Sequence, residues 1–179
     1  PGEADIICTS VDTEKVYGKC HVTVQPPVNG LTLNMDRAEL VLGADAYSRV
    51  TSLEAYIDAD DASIYKNLKW ESSNTNIVTV SSNSTDKTKA TITARSAGEA
   101  TVKFSVSDDV YVVCKVVVKQ RVTNLRINRE KTVIYAGETM QVTATASPDS
   151  VTDPSVNWTS SDENVATVDE EGLITALNK

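Results

Sequence analysis

The sequence predicts an all-β chain built from a repeated module, and three observations predict it. The string Trp70-Glu71-Ser72-Ser73-Asn74, followed by Val78-Thr79-Val80, returns as Trp158-Thr159-Ser160-Ser161-Asp162, followed by Ala166-Thr167-Val168. Self-similarity at a long, fixed spacing is the mark of a repeat architecture. The composition is rich in Val, Thr and Ser with 1 Phe, 2 Met and 1 His, and no long stretch carries the 3.6-residue apolar period of a helix; β-branched residues pack well on a pleated surface instead. Finally, short alternating runs are bounded by Gly, Pro and Ser-Asx clusters, which reads as strand, turn, strand. The repeat divides the 179 residues into a leading hairpin, 1–26, a complete copy, 27–120, and a shorter copy, 121–179.

Within the leading segment, Asp5-Ile6-Ile7-Cys8-Thr9-Ser10 and Cys20-His21-Val22-Thr23-Val24 flank a polar turn at 12–15. Cys20, Val22 and Val24 share one face by period two, and His21 and Thr23 share the other. Gln25-Pro26-Pro27 stops the second strand, because proline has no amide hydrogen for a ladder and fixes its own φ. Copy one opens with Leu31-Thr32-Leu33 and a strand through Glu39-Leu40-Val41-Leu42 to Gly43; copy two answers with Leu125-Arg126-Ile127, Val133-Ile134-Tyr135 and Gly137. A strand follows in each, over 47–57 and 139–146, and then a connection to the Trp strand. The path from Gly43 to Trp70 is longer than that from Gly137 to Trp158, and the extra residues are assigned to the acidic stretch Asp58-Ala59-Asp60-Asp61-Ala62-Ser63, where copy two turns on Ser147-Pro148-Asp149.

Beyond the Trp strand, copy one passes a long polar tip, 81–89, into Ala90-Thr91-Ile92-Thr93-Ala94, whereas copy two turns on Asp169-Glu170-Glu171-Gly172 into Leu173-Ile174-Thr175-Ala176. Copy one then continues through Gly98-Glu99-Ala100-Thr101-Val102-Lys103-Phe104 to Cys114-Lys115-Val116-Val117-Val118. The counterpart of that closing pair opens the chain: Gly2-Glu3-Ala4 matches Gly98-Glu99-Ala100, and Cys20 to Val24 matches Cys114 to Val118.

Charge and cysteine usage narrow the function classes. A formal net charge of −8 argues against nucleic acid and anionic membrane surfaces as partners, since both require clustered Lys and Arg. No apolar run approaches the roughly 18 residues of a membrane span, so direct membrane insertion is not expected. Pro1-Gly2-Glu3-Ala4-Asp5 has no signal-peptide pattern, which leads to the expectation of a soluble chain, mature or a fragment, with any anchor outside it. Three cysteines, Cys8, Cys20 and Cys114, are too few for a disulfide-built scaffold and lack metal-ligand spacing.

Taken together, the opening Leu-x-Leu or Leu-x-Ile strand, the Gly before a long strand, Trp-x-Ser-Ser-Asx, Val-Ala-Thr-Val with a Gly turn, Gly-Glu-Ala and the closing Val-rich strand resemble the bacterial immunoglobulin-like group 2 module. The resemblance covers essentially the whole chain and implies tandem immunoglobulin-like β-sandwiches. It departs from the family pattern in the longer connection of copy one and in the tip at 81–89. Modules of this family occur in tandem in intimin- and invasin-type adhesins, other bacterial surface proteins and some phage virion proteins, where they act as spacers and display units.

Trp70 and Trp158 end apolar strands at one repeat position and are expected in the core, with ligand stacking as the alternative. Phe104 occupies in copy one the position of Cys8 in the hairpin. Cys20 and Cys114 share a repeat position and the inward parity of the neighbouring valines, so three buried thiols are expected, the alternative being a Cys8–Cys20 bridge. Asp58, Asp60 and Asp61 carry oxygen ligands suited to Ca²⁺ but lack the Gly and terminal Glu of a helix-loop-helix calcium site, which favours a solvated acidic loop. His21 has no second base or nucleophile spaced to assist it. No catalytic set, phosphate-cradling loop or cofactor site can be assembled, so the expectation is a non-enzymatic chain without cofactors.

The leading expectation is an extracellular structural or adhesion module of a bacterial surface or fibre-forming protein. Its partners would be neighbouring immunoglobulin-like domains of the same or an adjacent chain, and a host-surface protein or carbohydrate. Alternatives are a phage virion protein that binds host-surface carbohydrate and an accessory domain of a secreted carbohydrate-active enzyme. Because copy two lacks its closing strands and the leading hairpin is of the missing type, either residues 1–26 of one chain complete residues 122–179 of the next, head to tail, or the chain is a segment of a longer repeat protein.

Overall fold

In a computed structural model, the structure describes residues 2–12, 16–24, 27–59, 64–65 and 67–177. The leading segment is an antiparallel hairpin of β1 (Gly2–Thr9) and β2 (Tyr17–Val24), with every residue of both strands exposed. Copy one is a sandwich of β3 (Gly30–Leu33), β4 (Arg37–Leu42), β5 (Val50–Asp58), β6 (Lys69–Ser72), β7 (Val78–Ser82), β8 (Lys89–Ala94), β9 (Gly98–Ser105) and β10 (Tyr111–Gln120). One sheet runs β4-β10-β9-β6 and the other β3-β5-β8-β7. All their pairings are antiparallel except β4 with β10, which is parallel.

Alternation decides which side chains fill the space between the sheets. Leu40, Val102, Phe104, Cys114, Val116 and Val118 come from one sheet and Leu53, Val78 and Ile92 from the other, and none is more than 2% exposed. Trp70 packs its ring against Phe104 at 4.6 Å between centroids and 49° between planes, a tilted geometry that suits the aromatic quadrupoles. The long tip after β7 has a purpose here. Asn83 Oδ1 accepts from Thr85 N, Thr85 Oγ1 and Asp86 N, shaping a loop whose Lys87 carbonyl accepts the Trp70 Nε1–H at 2.9 Å. That bond satisfies the polar end of an otherwise buried indole.

Copy two comprises β11 (Asn124–Ile127), β12 (Thr139–Gln141), β13 (Ala144–Ser147), β14 (Ala166–Val168) and β15 (Leu173–Ala176), in sheets β11-β13 and β12-β15-β14. The pairings superimpose on those of copy one. Asn124 opposite Ser147 corresponds to Gly30 opposite Asp58, and Thr139 opposite Thr175 to Val50 opposite Thr93. β12 and β13 are therefore the two halves of the single strand β5.

This register corrects the placement of the extra residues in copy one. Asp58 corresponds to Ser147 and Val50 to Thr139, so most of the added length lies between Gly43 and β5 rather than in the acidic loop. There Asp45 Oδ1 accepts from Tyr47 N, Ser48 N and Ser48 Oγ at 2.8–3.0 Å, a side-chain cap that lets Ser48 O accept from Val41 N.

The copies meet at a hydrogen-bonded junction. Gln120 N donates to Thr152 Oγ1 at 2.7 Å, Thr152 N donates to Gln120 O at 2.9 Å, and Gln120 Nε2 reaches the Leu42 and Arg121 carbonyls. Gly43 sits against this knot with φ +79°, where a Cβ would fall 2.6 Å from Gln120 Nε2 and 2.9 Å from Thr123 Cγ2. Its counterpart Gly137 has φ +84° and nothing within 4 Å. Alanine in the left-handed region costs about 1–2 kcal/mol. Gly137→Ala should lose about that much in urea unfolding followed by tryptophan fluorescence, and Gly43→Ala measurably more; equal losses would mean the junction does not crowd Gly43.

Candidate functional site: the open face at Trp158

In copy one, β4 and β6 are strands because β10 and β9 lie between them and satisfy their edges. The equivalent segments of copy two, 131–136 and 157–160, have no strand structure, and among the described residues no strand pairs with either. A backbone segment takes up a ladder conformation only when a neighbour supplies the complementary N–H and C=O groups. Ile134, the counterpart of the buried Leu40, is only half-buried there.

Between these two segments lies a cleft of about 390 Å³ lined by Ile127, Val142, Trp158, Ala166, Val168 and Ile174, with Arg129 and Lys131 at its border. Trp158 itself is half-buried. A Cβ on Gly172 would come within 3.0 Å of Trp158 Cε2 and 2.7 Å of Val142 O, so only glycine lets this turn lie flat against the indole. Asp169 Oδ1 accepts from Glu171 N and Leu173 N and holds the turn in place. Val142 and Ala176, the equivalents of Leu53 and Ala94, are buried, so the remaining layer keeps an apolar inner surface.

Of the residues singled out from sequence, Phe104, Trp70 and Cys114 lie in the core of copy one. The expectation that Cys20 is a core residue is corrected: Cys20 and Cys8 are both exposed free thiols, because β1–β2 has no second layer packed on it among the described residues. Cys8 lies opposite Gly18 and Cys20 opposite Ile6, an offset rather than a facing pair. Trp158 departs from the core expectation in degree, since among the described residues no strand pairs with 157–160. Asp58 ends β5 opposite Gly30, while Asp60 and Asp61 lie outside the described residues. No three His, Cys, Asp or Glu residues gather to hold a metal ion among the described residues.

His21 stands on the exposed face of the hairpin with Nδ1 2.9 Å from Asp5 Oδ1, and Lys19 Nζ is 2.6 Å from Asp5 Oδ2. Lys19 first and His21 second hold the Asp5 carboxyl below its ordinary value. This is an ion-pair cluster on a solvated face. Sequence reasoning missed Lys131 and Thr132 as parts of the cleft; the alignment of Gly137 with Gly43 carried that signal, since it sets Thr132 against the buried Ala38.

The family model described as bacterial Ig-like domain (group 2) matches residues 35–116 and again 121–179. The chain belongs to that family. The Ig-like modules also resemble part of a 3-O-alpha-D-galactosyl-alpha-L-arabinofuranosidase of Bifidobacterium longum, 54% identical over 44 residues, which is 25% of this chain and 4% of that protein. An uncharacterised protein of Clostridium acetobutylicum is 28% identical over 149 residues, 82% of this chain and 14% of its own length. The chain thus spans a small part of the curated relatives it matches, between 4% and 14%. Among solved structures, the C-terminal 282-residue fragment of intimin in complex with the intimin-binding domain of its receptor aligns with TM-score 0.39 and 18% identity, over 86% of this chain and 56% of that one.

Two outcomes follow from this geometry. At high dilution, amides of residues 131–134 and 157–160 should exchange with deuterium orders of magnitude faster than those of Arg37–Leu42 and Lys69–Ser72; equal protection would show that the segments are paired after all. Burial first, and Asp36 second, push the Cys114 thiol above its ordinary value, so at pH 8 Cys114 should resist a disulfide-exchange reagent until the fold is opened with denaturant. Reaction of Cys114 in the native chain would contradict its placement.

Proposed function

We propose that this chain is a non-catalytic structural and adhesion-type segment of a bacterial surface or secreted protein, in which Ig-like modules follow one another and hold a binding region away from the cell. The observation that carries this reading is the junction. Gln120 bonds Thr152 in both directions while Gly43 and Leu42 close on it, so the modules are coupled through backbone hydrogen bonds rather than hung on a free linker. A spacer needs such coupling to transmit direction. Protease treatment of intact cells of the encoding bacterium, read with an antibody against residues 27–120, should remove the protein without lysis. Full protection in intact cells, with no protein in the culture medium, would sink the reading.

A second reading is favoured by the 54% identity to a stretch of the arabinofuranosidase. Under it, the modules are accessory domains beside a carbohydrate-active catalytic domain. Pull-down of the purified chain on insoluble plant polysaccharides separates the two: retention supports the accessory role, and passage through supports the spacer.

A further inference from the structure

The repeat supplies an internal comparison within the complete copy. β13 aligns with the second half of β5, so Thr145, opposite Arg126, stands where copy one has Tyr56, opposite Thr32. The strand pair forms with either residue, and the fold therefore does not require a tyrosine there. Tyr56 is 53% exposed. Leu53 and Ala55 point into the core, so alternation puts Glu54 and Tyr56 on the outer face of the sheet. β8 begins at Lys89, opposite Glu54, which leaves Tyr56 beside the tip residues 85–88 rather than beside a strand. A cleft of about 530 Å³ opens there, within the range of small-molecule sites. Its lining includes Tyr56, Tyr65, Glu54, Asp86, Thr85 and Thr88. On its inner side it meets Ile57 and Leu68, which pack against the core. Tyr65 follows the buried Ile64, which anchors it, and is 44% exposed.

The polar wall of this cleft is preformed. Ala55 N donates to Thr88 O at 2.8 Å, Asn83 N donates to Lys89 O at 2.8 Å, and Lys89 Nζ lies 3.3 Å from Glu54 Oε1 and 3.4 Å from Asp86 Oδ2. A ligand that docks against such a wall has little loop freedom to remove. The Thr85 hydroxyl donates to Asn83 and the Thr88 hydroxyl to Asp86, so both keep lone pairs with which to accept from a ligand. The Thr88 hydroxyl and amide first, then Lys89, hold the Asp86 carboxyl below its ordinary value, which keeps it an acceptor. Lys87, also in the lining, adds a donor. The two carboxylates of Glu54 and Asp86 are balanced by Lys87 and Lys89, so the cleft favours a ligand without net charge.

We propose that this cleft of copy one binds a neutral glycan, with sugar rings against Tyr56 and Tyr65 and sugar hydroxyls hydrogen-bonded to Glu54, Asp86, Thr85 and Thr88. A sugar ring offers what this lining lacks: a face of C–H bonds to cover a half-exposed aromatic ring, and a rim of hydroxyls that both donate and accept. Tyrosine suits the place because it gives a large rigid contact area and a polar end that tolerates water. A peptide would meet the same rings but leave most of the acceptors around them without donors, at a cost for each one desolvated. Copy two carries Thr145 in place of Tyr56 and a short turn in place of the tip, so the site belongs to copy one. It goes beyond both readings of function above, since a spacer can carry such a cleft as readily as an accessory module.

Titration of the isotopically labelled 179-residue chain with soluble neutral oligosaccharides of xylose, glucose, mannose, galactose, arabinose and N-acetylglucosamine tests this by NMR. At least one should shift, saturably, the amides of Tyr56, Tyr65 and residues 85–88, together with the Trp70 indole N–H, which is bonded to the Lys87 carbonyl. Tyr56→Thr, the residue found at this place in copy two, and Tyr65→Ala should each weaken that binding at least tenfold. Tyr56→Phe keeps the ring and should retain it. Unaltered shifts of the core residues Val102 and Val116 check that each variant still folds. If no oligosaccharide in the panel shifts these resonances, the proposal is overturned. It is equally overturned if binding survives both Tyr56→Thr and Tyr65→Ala, or if a proline-rich peptide titrates the cleft where no oligosaccharide does. None of these results touches the surface location read by protease treatment, so the two claims fail separately.

Discussion

The structure depends on one constraint: a β-strand persists only where a neighbour pairs its edge and a second layer covers its apolar face. In copy one β9 and β10 meet both conditions for β4 and β6, and the sheet order β4-β10-β9-β6 shows them in the middle. In copy two the same sequence pattern around Trp158 and Ile134 forms no strand, though its residues are as apolar as their counterparts. Propensity alone does not decide between these states. Each unpaired N–H and C=O that water can reach stays solvated, and no gain from packing outweighs the entropy of ordering the backbone.

The treatment of the two tryptophans follows from the same logic. Trp70 is enclosed, so its indole N–H needs a protein acceptor and takes the Lys87 carbonyl from a long, internally hydrogen-bonded tip. Copy two replaces that tip by a short turn in which Gly172 lies against the Trp158 ring. Loop length in this repeat is thus coupled to how the central aromatic is satisfied, and the departure of the 81–89 tip from the family pattern has a local physical reason.

Coupling between modules rests on a small set of groups. Gln120 ends β10 and its backbone and amide reach Thr152, Leu42 and Arg121, while Gly43 alone permits that approach. The strand that closes the core of copy one is therefore the one that orients copy two. A module closed in this way carries the junction geometry with it, which is what a chain of repeats requires if direction is to pass from one module to the next.

The sequence by itself determined the all-β class, the repeat, the family and the inward positions of Trp70, Phe104 and Cys114, because alternation at period two and recurrence of landmarks are local signals that survive without a third dimension. It also marked the leading hairpin as the closing type. Three matters were decided only by tertiary structure. The extra residues of copy one lie before β5, since only strand pairing sets Asp58 against Ser147. Cys20 and Cys114 share sequence position and parity, yet one is exposed and the other buried, because burial is a property of the layer opposite and not of the strand. And the cleft at Trp158 exists because Ile127 of β11, Val142, and side chains of β14 and β15 come together in a layer whose facing strands are not among the described pairings.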